Sequence, residues 1–277
     1  MERPEPIRPF LRWAGSKRQL LPVLSDYSPR RFGRYLEPFL GSGSLFFHLR
    51  PARAILGDVN ADLMATYEQV RDNLDAVFSE LSAMRKGKEE YYRIRSSDTS
   101  SLNPAEQAAQ FIYLNRFSFN GLYRTNRKGE FNVPYGGAKC AGVPARASLE
   151  ASSRALQGAE LVSGDFEVVL AQARSGDFVY LDPPYSVAVR RVFKEYDPSS
   201  FCTRDLQRLR RWLDRLTEVG AEFLLSYAKC EEAELLMEGY AARQVAVRRN
   251  IAGFSRDRRR AQEWLISNMK TLGYEEA

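Results

Sequence analysis

The chain has 277 residues, of which 44% are hydrophobic and 27% charged, enough for one large domain or two small ones around a buried core. No apolar run approaches the roughly 20 residues of a membrane span, and Met1 to Pro9 mixes Glu, Arg and Pro without an apolar stretch, so neither a membrane segment nor a secretory signal is expected. A single histidine, His48, excludes His-based triads and the three scattered cysteines suggest no zinc site, so no metal is expected, while a net charge of +6 is compatible with a polyanionic partner.

In chain order, Arg34 to Glu37 reads as a short strand that ends in a Gly-rich turn, Ser44 to Leu49 as a helix, and Ala54 to Asp58 as the next strand. This is the opening of a doubly wound α/β sheet. Leu63, Tyr67, Val70, Leu74, Val77 and Leu81 then recur at helical spacing, and Ala105 to Leu114 is a second helical stretch. Between Arg116 and Gly142 the chain is rich in Asn, Gly, Arg and aromatics, as a loop or hairpin is. Phe178 to Leu181 reads as a buried strand, Thr203 to Val219 as a helix, and Glu222 to Ser226 and Glu263 to Ser267 as strands. The expected organisation is one α/β domain, 1–61 and 151–277, with a mainly helical insert over 62–150.

Two motifs carry chemistry. Phe39-Leu40-Gly41-Ser42-Gly43 lies between a strand and a helix, where glycines allow a tight turn and let a ligand approach the backbone. Asp58 ends the next strand, where an acid can accept hydrogen bonds from ribose hydroxyls. The third Gly of the dinucleotide fingerprint is replaced by Phe46, and a purely structural Gly turn also fits. Glu37, just before the turn, suits a cationic ligand better than pyrophosphate. The second motif is Asp182-Pro183-Pro184-Tyr185, which follows the strand 178–181. Prolines lack N–H groups, so this turn displays carbonyl acceptors beside a carboxylate, a set suited to an NH2 group, and the aromatic can stack on a flat base. The alternative is a Pro-rich strand-to-helix turn with Asp182 as its cap.

At these residues the chain resembles the DNA adenine methyltransferase (Dam) family, in the subgroup whose cofactor motif precedes the catalytic motif. Phe10-Leu11-Arg12-Trp13-Ala14-Gly15-Ser16-Lys17 is similar to the family's N-terminal cofactor motif, and Glu37 to Ser44 to its Gly turn. Asp182 to Tyr185 matches its catalytic tetrapeptide. Leu114 to Arg124, continuing to Phe131-Asn132-Val133-Pro134, is similar to its DNA-reading hairpin. The order of all four is specific, and they span nearly the whole length. Ser16 stands where relatives often have Gly, and Gly137 and Ala138 where some carry Arg and an aromatic.

The resemblance implies a Rossmann-like methyltransferase domain that binds S-adenosylmethionine, with an inserted, mainly helical target-recognition domain carrying a β-hairpin. It implies that Trp13, Ala14, Gly15, Lys17, Glu37, Pro38, Phe39, Gly41, Gly43, Ser44, Asp58, Asp165, Phe166 and Asp182 line the cofactor site, Phe166 stacking on the cofactor's adenine. Asp182 and the Pro183 carbonyl would accept the two hydrogens of adenine N6, and Pro184 and Tyr185 would complete the site, Tyr185 stacking on a flipped base. For DNA it implies Arg12 on an outer base, with pairing to an acid as the alternative, Phe119 and Leu122 beside the flipped base, Asn120 in contact with DNA, Arg124 on a guanine, and Arg116, Asn126, Arg127, Lys128 and Lys139 on phosphates. The Arg-rich run from Arg243 to Arg260 adds a basic loop over 253–260. The function expected is methylation of adenine N6 in duplex DNA, with GATC as the target. The alternatives are an RNA adenine methyltransferase and a catalytically silent DNA-binding regulator. The expected setting is cytoplasmic and nucleoid-associated through DNA, as a monomer or weak dimer without an obligate protein partner.

Overall fold

The computed structural model describes residues 6–126, 128–184, 201–248 and 260–270. Seven strands, β1 (Tyr35–Glu37), β2 (Ala54–Asp58), β3 (Ala159–Ser163), β4 (Phe178–Leu181), β5 (Glu222–Ala228), β6 (Ala241–Arg248) and β7 (Arg260–Ser267), form one sheet in the order β3-β2-β1-β4-β5-β7-β6. β1 pairs parallel with β2 and β4, and β4 with β5, Leu181 facing Leu225. Every residue of β1 and β4 is buried, as parallel strands with both faces covered require. β7 runs antiparallel to β5 and β6 antiparallel to β7, so a hairpin closes one edge. The chain is thus a mixed α/β protein with a Rossmann-like sheet. The strand order reverses between β1 and β4. Open α/β sheets hold their ligands at such a reversal, at the carboxyl ends of the strands.

Residue contacts divide the chain into two compact units. One, Gln19–Leu40 with Arg53–Leu56 and Asp165–Ala277, contains β1, β4, β5, β6, β7 and helices α1 (Leu21–Tyr27), α8 (Phe166–Leu170), α9 (Thr203–Glu218) and α10 (Ala233–Met237). α9 turns Leu206, Leu209, Leu213 and Leu216 inward, an i, i+3, i+7, i+10 stripe, and leaves its arginines on other faces.

The other unit, Met1–Arg18 with Gly41–Ala52 and Gly57–Gly164, contains α2 (Ser44–Leu49), α3 (Ala61–Asp72), α4 (Leu74–Ala83), α5 (Lys88–Arg95), α6 (Pro104–Phe117) and α7 (Arg146–Leu156). Residues 62–150 lie within it, together with the N-terminal motif and the part of the Gly turn from Gly41 onward. The periodic run from Leu63 to Leu81 is two helices, broken at Asn73 (φ −132°, ψ 38°). α6 starts with a capping box between Asn103 and Glu106 and Pro104 in its first turn. It is buried along most of its length, and its buried Gln110 amide donates to the Ile94 carbonyl at 2.8 Å and Ser97 Oγ at 2.9 Å.

After α6 the chain forms an irregular hairpin. Antiparallel bridges pair Ser118 with Tyr135 and Thr125 with Phe131, and Asn126 Oδ1 accepts the backbone N–H groups of Lys128 and Glu130 to make the tip. No helix among the described residues is long and apolar enough to cross a membrane.

Candidate active site

Glu37 ends β1 and Asp182 follows β4, so two carboxylates stand at the ends of the two strands that flank the reversal of strand order. Glu37 is buried, and the Tyr35 hydroxyl donates to its Oε2 at 2.8 Å. Burial first, and Glu37 second, push the Tyr35 phenol well above its ordinary value, which keeps it a donor. Asp182 is half-buried. Its Oδ1 accepts from Ser226 Oγ at 3.1 Å, and Ser226 Oγ lies 3.0 Å from the Tyr180 hydroxyl. Burial raises the Tyr180 phenol as well, with Asp182 as the next cause. Ser226 and Tyr180 are buried strand residues, so this relay orients the Asp182 carboxylate from the core. Pro183 is buried and Pro184 exposed. Tyr185 lies outside the described residues.

In the same unit Asp165 caps α8, its Oδ1 accepting the Glu167 N–H at 3.0 Å. Arg208 of α9 donates to Asp165 Oδ1 and pairs with Glu167 Oε2, both at 2.7 Å, and reaches Asp205 Oδ1 at 2.9 Å. Its guanidinium lies 4.7 Å from the Phe166 ring centre. Phe166 is buried and stacks on Phe39 with centroids 5.3 Å apart. Phe39 and Phe166, both expected from sequence, are therefore brought together here.

In the other unit the Gly turn is built around Gly41. Its N–H donates to Asp58 Oδ2 at 2.9 Å and its carbonyl accepts from the Tyr67 hydroxyl at 2.9 Å. Gly41 has φ +48°, and a Cβ there would sit 2.7 Å from Trp13 Cδ1. Glycine is needed here for the left-handed backbone and for the indole pressed against it. Asp58 also accepts the Asn60 N–H through Oδ1 at 3.0 Å. Burial raises its carboxyl above the ordinary Asp value, and the N–H groups of Asn60, Gly41 and Val59 offset part of this. Ser16, Ser42 and Ser44 form a hydroxyl triangle, with Ser16 2.8 Å and Ser42 2.9 Å from Ser44 Oγ. Lys17 is buried, with Nζ 3.4 Å from the Gly15 carbonyl, while Ala14 and Gly15 are exposed. Pro38 and Gly43 are buried.

The hairpin displays the residues expected to meet DNA unevenly. Phe119 and Leu122 are exposed large apolar side chains, 42% and 37%. Asn120 between them has φ +57°. Arg124 is exposed, its Nε held by Asn132 Oδ1 at 2.7 Å. Lys128 is exposed. Arg12 is tied to α6 by two bonds, Arg12 N to Asn115 Oδ1 at 2.8 Å and Asn115 Nδ2 to the Arg12 carbonyl at 2.6 Å. Arg116 is engaged elsewhere: it donates to the carbonyls of Gly142 (2.7 Å), Ala141 (3.0 Å) and Phe10 (3.3 Å). Burial, then Arg12, lowers its guanidinium below the usual value. Its task is to hold the hairpin base. Asn126 likewise forms the tip turn and bonds Glu130 Oε2 at 2.7 Å. Arg127, the Lys139 side chain and the loop 253–259 lie outside the described residues.

Sequence reasoning missed Ser226, Tyr180, Arg208 and Tyr123. Ser226 and Tyr180 alternate with apolar residues in strands and read as core, and Arg208 is one of many arginines on α9. Tyr123 stood within the hairpin motif but carried no signal separating it from its aromatic neighbours.

A family model for D12 class N6 adenine-specific DNA methyltransferases matches residues 13–251. A type II methyltransferase of Lactococcus lactis subsp. cremoris, M1.LlaDCHI, is 35% identical, covering 95% of each chain. M.MjaIII, a type II methyltransferase of Methanocaldococcus jannaschii, is 34% identical over 88% of this chain and 93% of its own length. The DNA adenine methylase of Escherichia coli K12 is 33% identical over 93% of this chain and 94% of its own. The chain belongs to the D12 class of N6 adenine-specific DNA methyltransferases, and is a DNA adenine methyltransferase.

Proposed function

We propose that the enzyme uses S-adenosylmethionine to methylate N6 of an adenine flipped out of duplex DNA, in the sequence GATC. The observation that carries this reading is the placement of Asp182 after β4, its Oδ1 held by Ser226, at the reversal of strand order. The donor sets fit the cofactor's parts. Glu37 offers a buried carboxylate to a cation. Asp58 is held by backbone N–H groups, Gly41 at Oδ2 and Asn60 at Oδ1, which turns an oriented carboxylate acceptor toward a ribose diol. Phe39 and Phe166 present an aromatic pair beside the Asp165 cap. Trp13, Lys17, Gly41, Gly43 and Ser44 line the turn that would hold the methionine end.

When bound, S-adenosylmethionine supplies a methyl group activated by its sulfonium. Adenine N6 is a poor nucleophile because its lone pair is delocalised into the ring. Asp182 and the Pro183 carbonyl would accept its two hydrogens, which localises the lone pair and stabilises the positive charge that builds on nitrogen as the N–C bond forms and the methyl–sulfur bond breaks, its electron pair leaving with sulfur as a neutral thioether. Loss of one N6 proton to solvent then restores a neutral amine. Tyr185 stacks on the extrahelical base, Phe119 and Leu122 fill the gap it leaves, and Arg124 reads a guanine.

The test is transfer of labelled methyl from S-adenosylmethionine to a GATC duplex, to its single-base variants and to structured RNA. The expected result is label on adenine N6 in GATC alone. Equal labelling of all duplexes would overturn the target sequence, and preference for RNA would overturn the substrate.

A further inference from the structure

Three aromatic rings tie the hairpin to the Gly turn within one unit. Trp13 lies against Tyr123 with ring centroids 5.6 Å apart and planes at 20°, and against Phe111 at 6.4 Å and 22°. Phe111 and Tyr123 touch each other at 5.3 Å. Tyr123 comes from the hairpin itself and meets Phe131 of the opposite arm at 5.7 Å. Its hydroxyl donates to Asp62 Oδ2, in the first turn of α3, at 3.0 Å. On its other side Trp13 occupies the space over Gly41 that a Cβ would need. Gly41 in turn donates to Asp58. A continuous packed path therefore runs from Phe131 through Tyr123, Trp13 and Gly41 to Asp58, by ring contacts from Phe131 to Trp13, close packing of the indole on Gly41, and the Gly41–Asp58 hydrogen bond.

We propose that Tyr123, a residue of the DNA-contacting hairpin, is a positioning residue for the cofactor: it holds the Trp13 indole against Gly41 and so fixes the turn that Asp58 anchors. The proposal rests on the reading of that turn as the S-adenosylmethionine site. The physical basis is pre-organisation. Gly41 has no side chain to limit its own backbone, so its left-handed conformation depends on what surrounds it: Asp58 at the N–H, Tyr67 at the carbonyl and Trp13 at the Cα. Trp13 is only half-buried and its place is set by the two rings beside it. Order in the hairpin and affinity for the cofactor are then linked, and by reciprocity the hairpin is better ordered for DNA once the cofactor is bound.

The experiment measures the dissociation constant of S-adenosylmethionine for the full chain without DNA, by calorimetry, beside a thermal melt of each variant. Tyr123→Ala and Tyr123→Leu are expected to weaken binding about 3- to 10-fold, the worth of one aromatic pair. Tyr123→Phe, which keeps the ring, is expected to bind within about 2-fold of the unaltered protein, the loss of one exposed hydrogen bond. Asp58→Asn tests the cofactor reading separately and is expected to weaken binding by at least about 10-fold. If Asp58→Asn binds poorly while Tyr123→Leu and Tyr123→Ala, still folded, bind as well as the unaltered protein, the positioning role is overturned and the cofactor reading stands. If Asp58→Asn binds normally, both fall. A Tyr123→Phe variant as weak as Tyr123→Leu overturns the stacking and assigns the effect to the Asp62 bond.

Discussion

Ser226 sets the plane of the Asp182 carboxylate before any substrate arrives, because a buried hydroxyl fixes Oδ1 from the neighbouring strand. Removing the acceptor altogether is the larger change. Asp182→Ala is expected to lower turnover about 10²–10³-fold, as loss of one oriented group does in an oxyanion hole, with cofactor binding retained; near-normal turnover in single-turnover assays contradicts the role. Ser226→Ala is expected to cost about tenfold in kcat, the worth of one hydrogen bond to a charged group, and to leave the cofactor dissociation constant unchanged. It should also move the acid limb of kcat to higher pH, since a carboxylate that loses a donor is easier to protonate. Tyr35, Glu37 and Glu263, other titratable groups around this relay, keep their side chains, while the Tyr180 hydroxyl loses its bond to Ser226. A lower melting temperature with an unmoved acid limb makes Ser226 a packing residue only. Asp58 gives a pH dependence of its own. Burial raises its carboxyl above the ordinary Asp value, so protonation begins at a higher pH than for an exposed Asp. A protonated Asp58 accepts fewer hydrogen bonds, so cofactor affinity should fall on acidification while the pH is still above the usual Asp range. For stability the sign is opposite: a raised acid pKa disfavours the ionised native state at neutral pH and that cost is relieved as pH falls. Calorimetric titration at several pH values checks the first, and affinity constant down to the ordinary Asp range refutes it.

At the scale of elements, the hairpin after α6 combines residues that build it with residues proposed to read DNA. Arg116 and Asn126 build its base and tip, whereas Arg124 projects from one arm with Nε on Asn132, which presets the guanidinium while its Nη groups have no partner among the described residues. A guanidinium so held suits the O6 and N7 acceptors of guanine in the major groove. Arg124→Ala is expected to lose about 1–3 kcal/mol of discrimination at one base pair, measured as methylation of the preferred site against its single-base variants. A uniform drop with the preference preserved reassigns Arg124 to the phosphate backbone. The elements that were legible in the sequence are those with a strong local signal: β1 and β4 as short apolar runs against turns, α6 as the helical stretch from Ala105 to Leu114, and α9 as the helix from Thr203 to Val219. The strands β3 and β6 were not legible. Both are sheet-edge strands, and β3 mixes buried and exposed positions without alternation. α5 hid behind Lys88, Glu89, Glu90, Arg93 and Arg95, with only Tyr91 and Ile94 turned inward. The single helix suggested by Leu63 to Leu81 failed because apolar spacing survives a break at Asn73 when both halves pack on the same helix, α6. In the site, residues that form recurring motifs could be named, while Ser226, Arg208 and Tyr123 act through neighbours that only the fold supplies.

For the whole molecule the charge matters more by distribution than by sum. Among the described residues many arginines are committed to acids: Arg34 to Asp177, Arg71 to Asp72, Arg93 to Glu90, Arg146 to Asp75 and Glu150, Arg208 to three carboxylates, Arg210 to Asp214. These arginines face at least as many carboxylates, so the positive excess behind the net charge of +6 lies outside these pairs. Arg124 and Lys128 are exposed on the hairpin, and seven arginines fall between Arg243 and Arg260. A duplex that meets these groups releases condensed counterions, and affinity then falls with salt in proportion to the phosphates neutralised. With about five phosphates engaged, log K should fall against log salt with a slope of about −4.5. Lys128 makes the assignment finer. Lys128→Ala is expected to reduce the slope by about 1 and to weaken binding to every duplex alike, because a phosphate contact carries no sequence information. Arg124→Ala changes the ranking of sequences instead. Fluorescence anisotropy with a preferred and an unrelated duplex at several salt concentrations separates the two. A flat salt response for the unaltered protein means these cations face solvent in the complex, and an unchanged slope in Lys128→Ala removes that residue from the DNA surface.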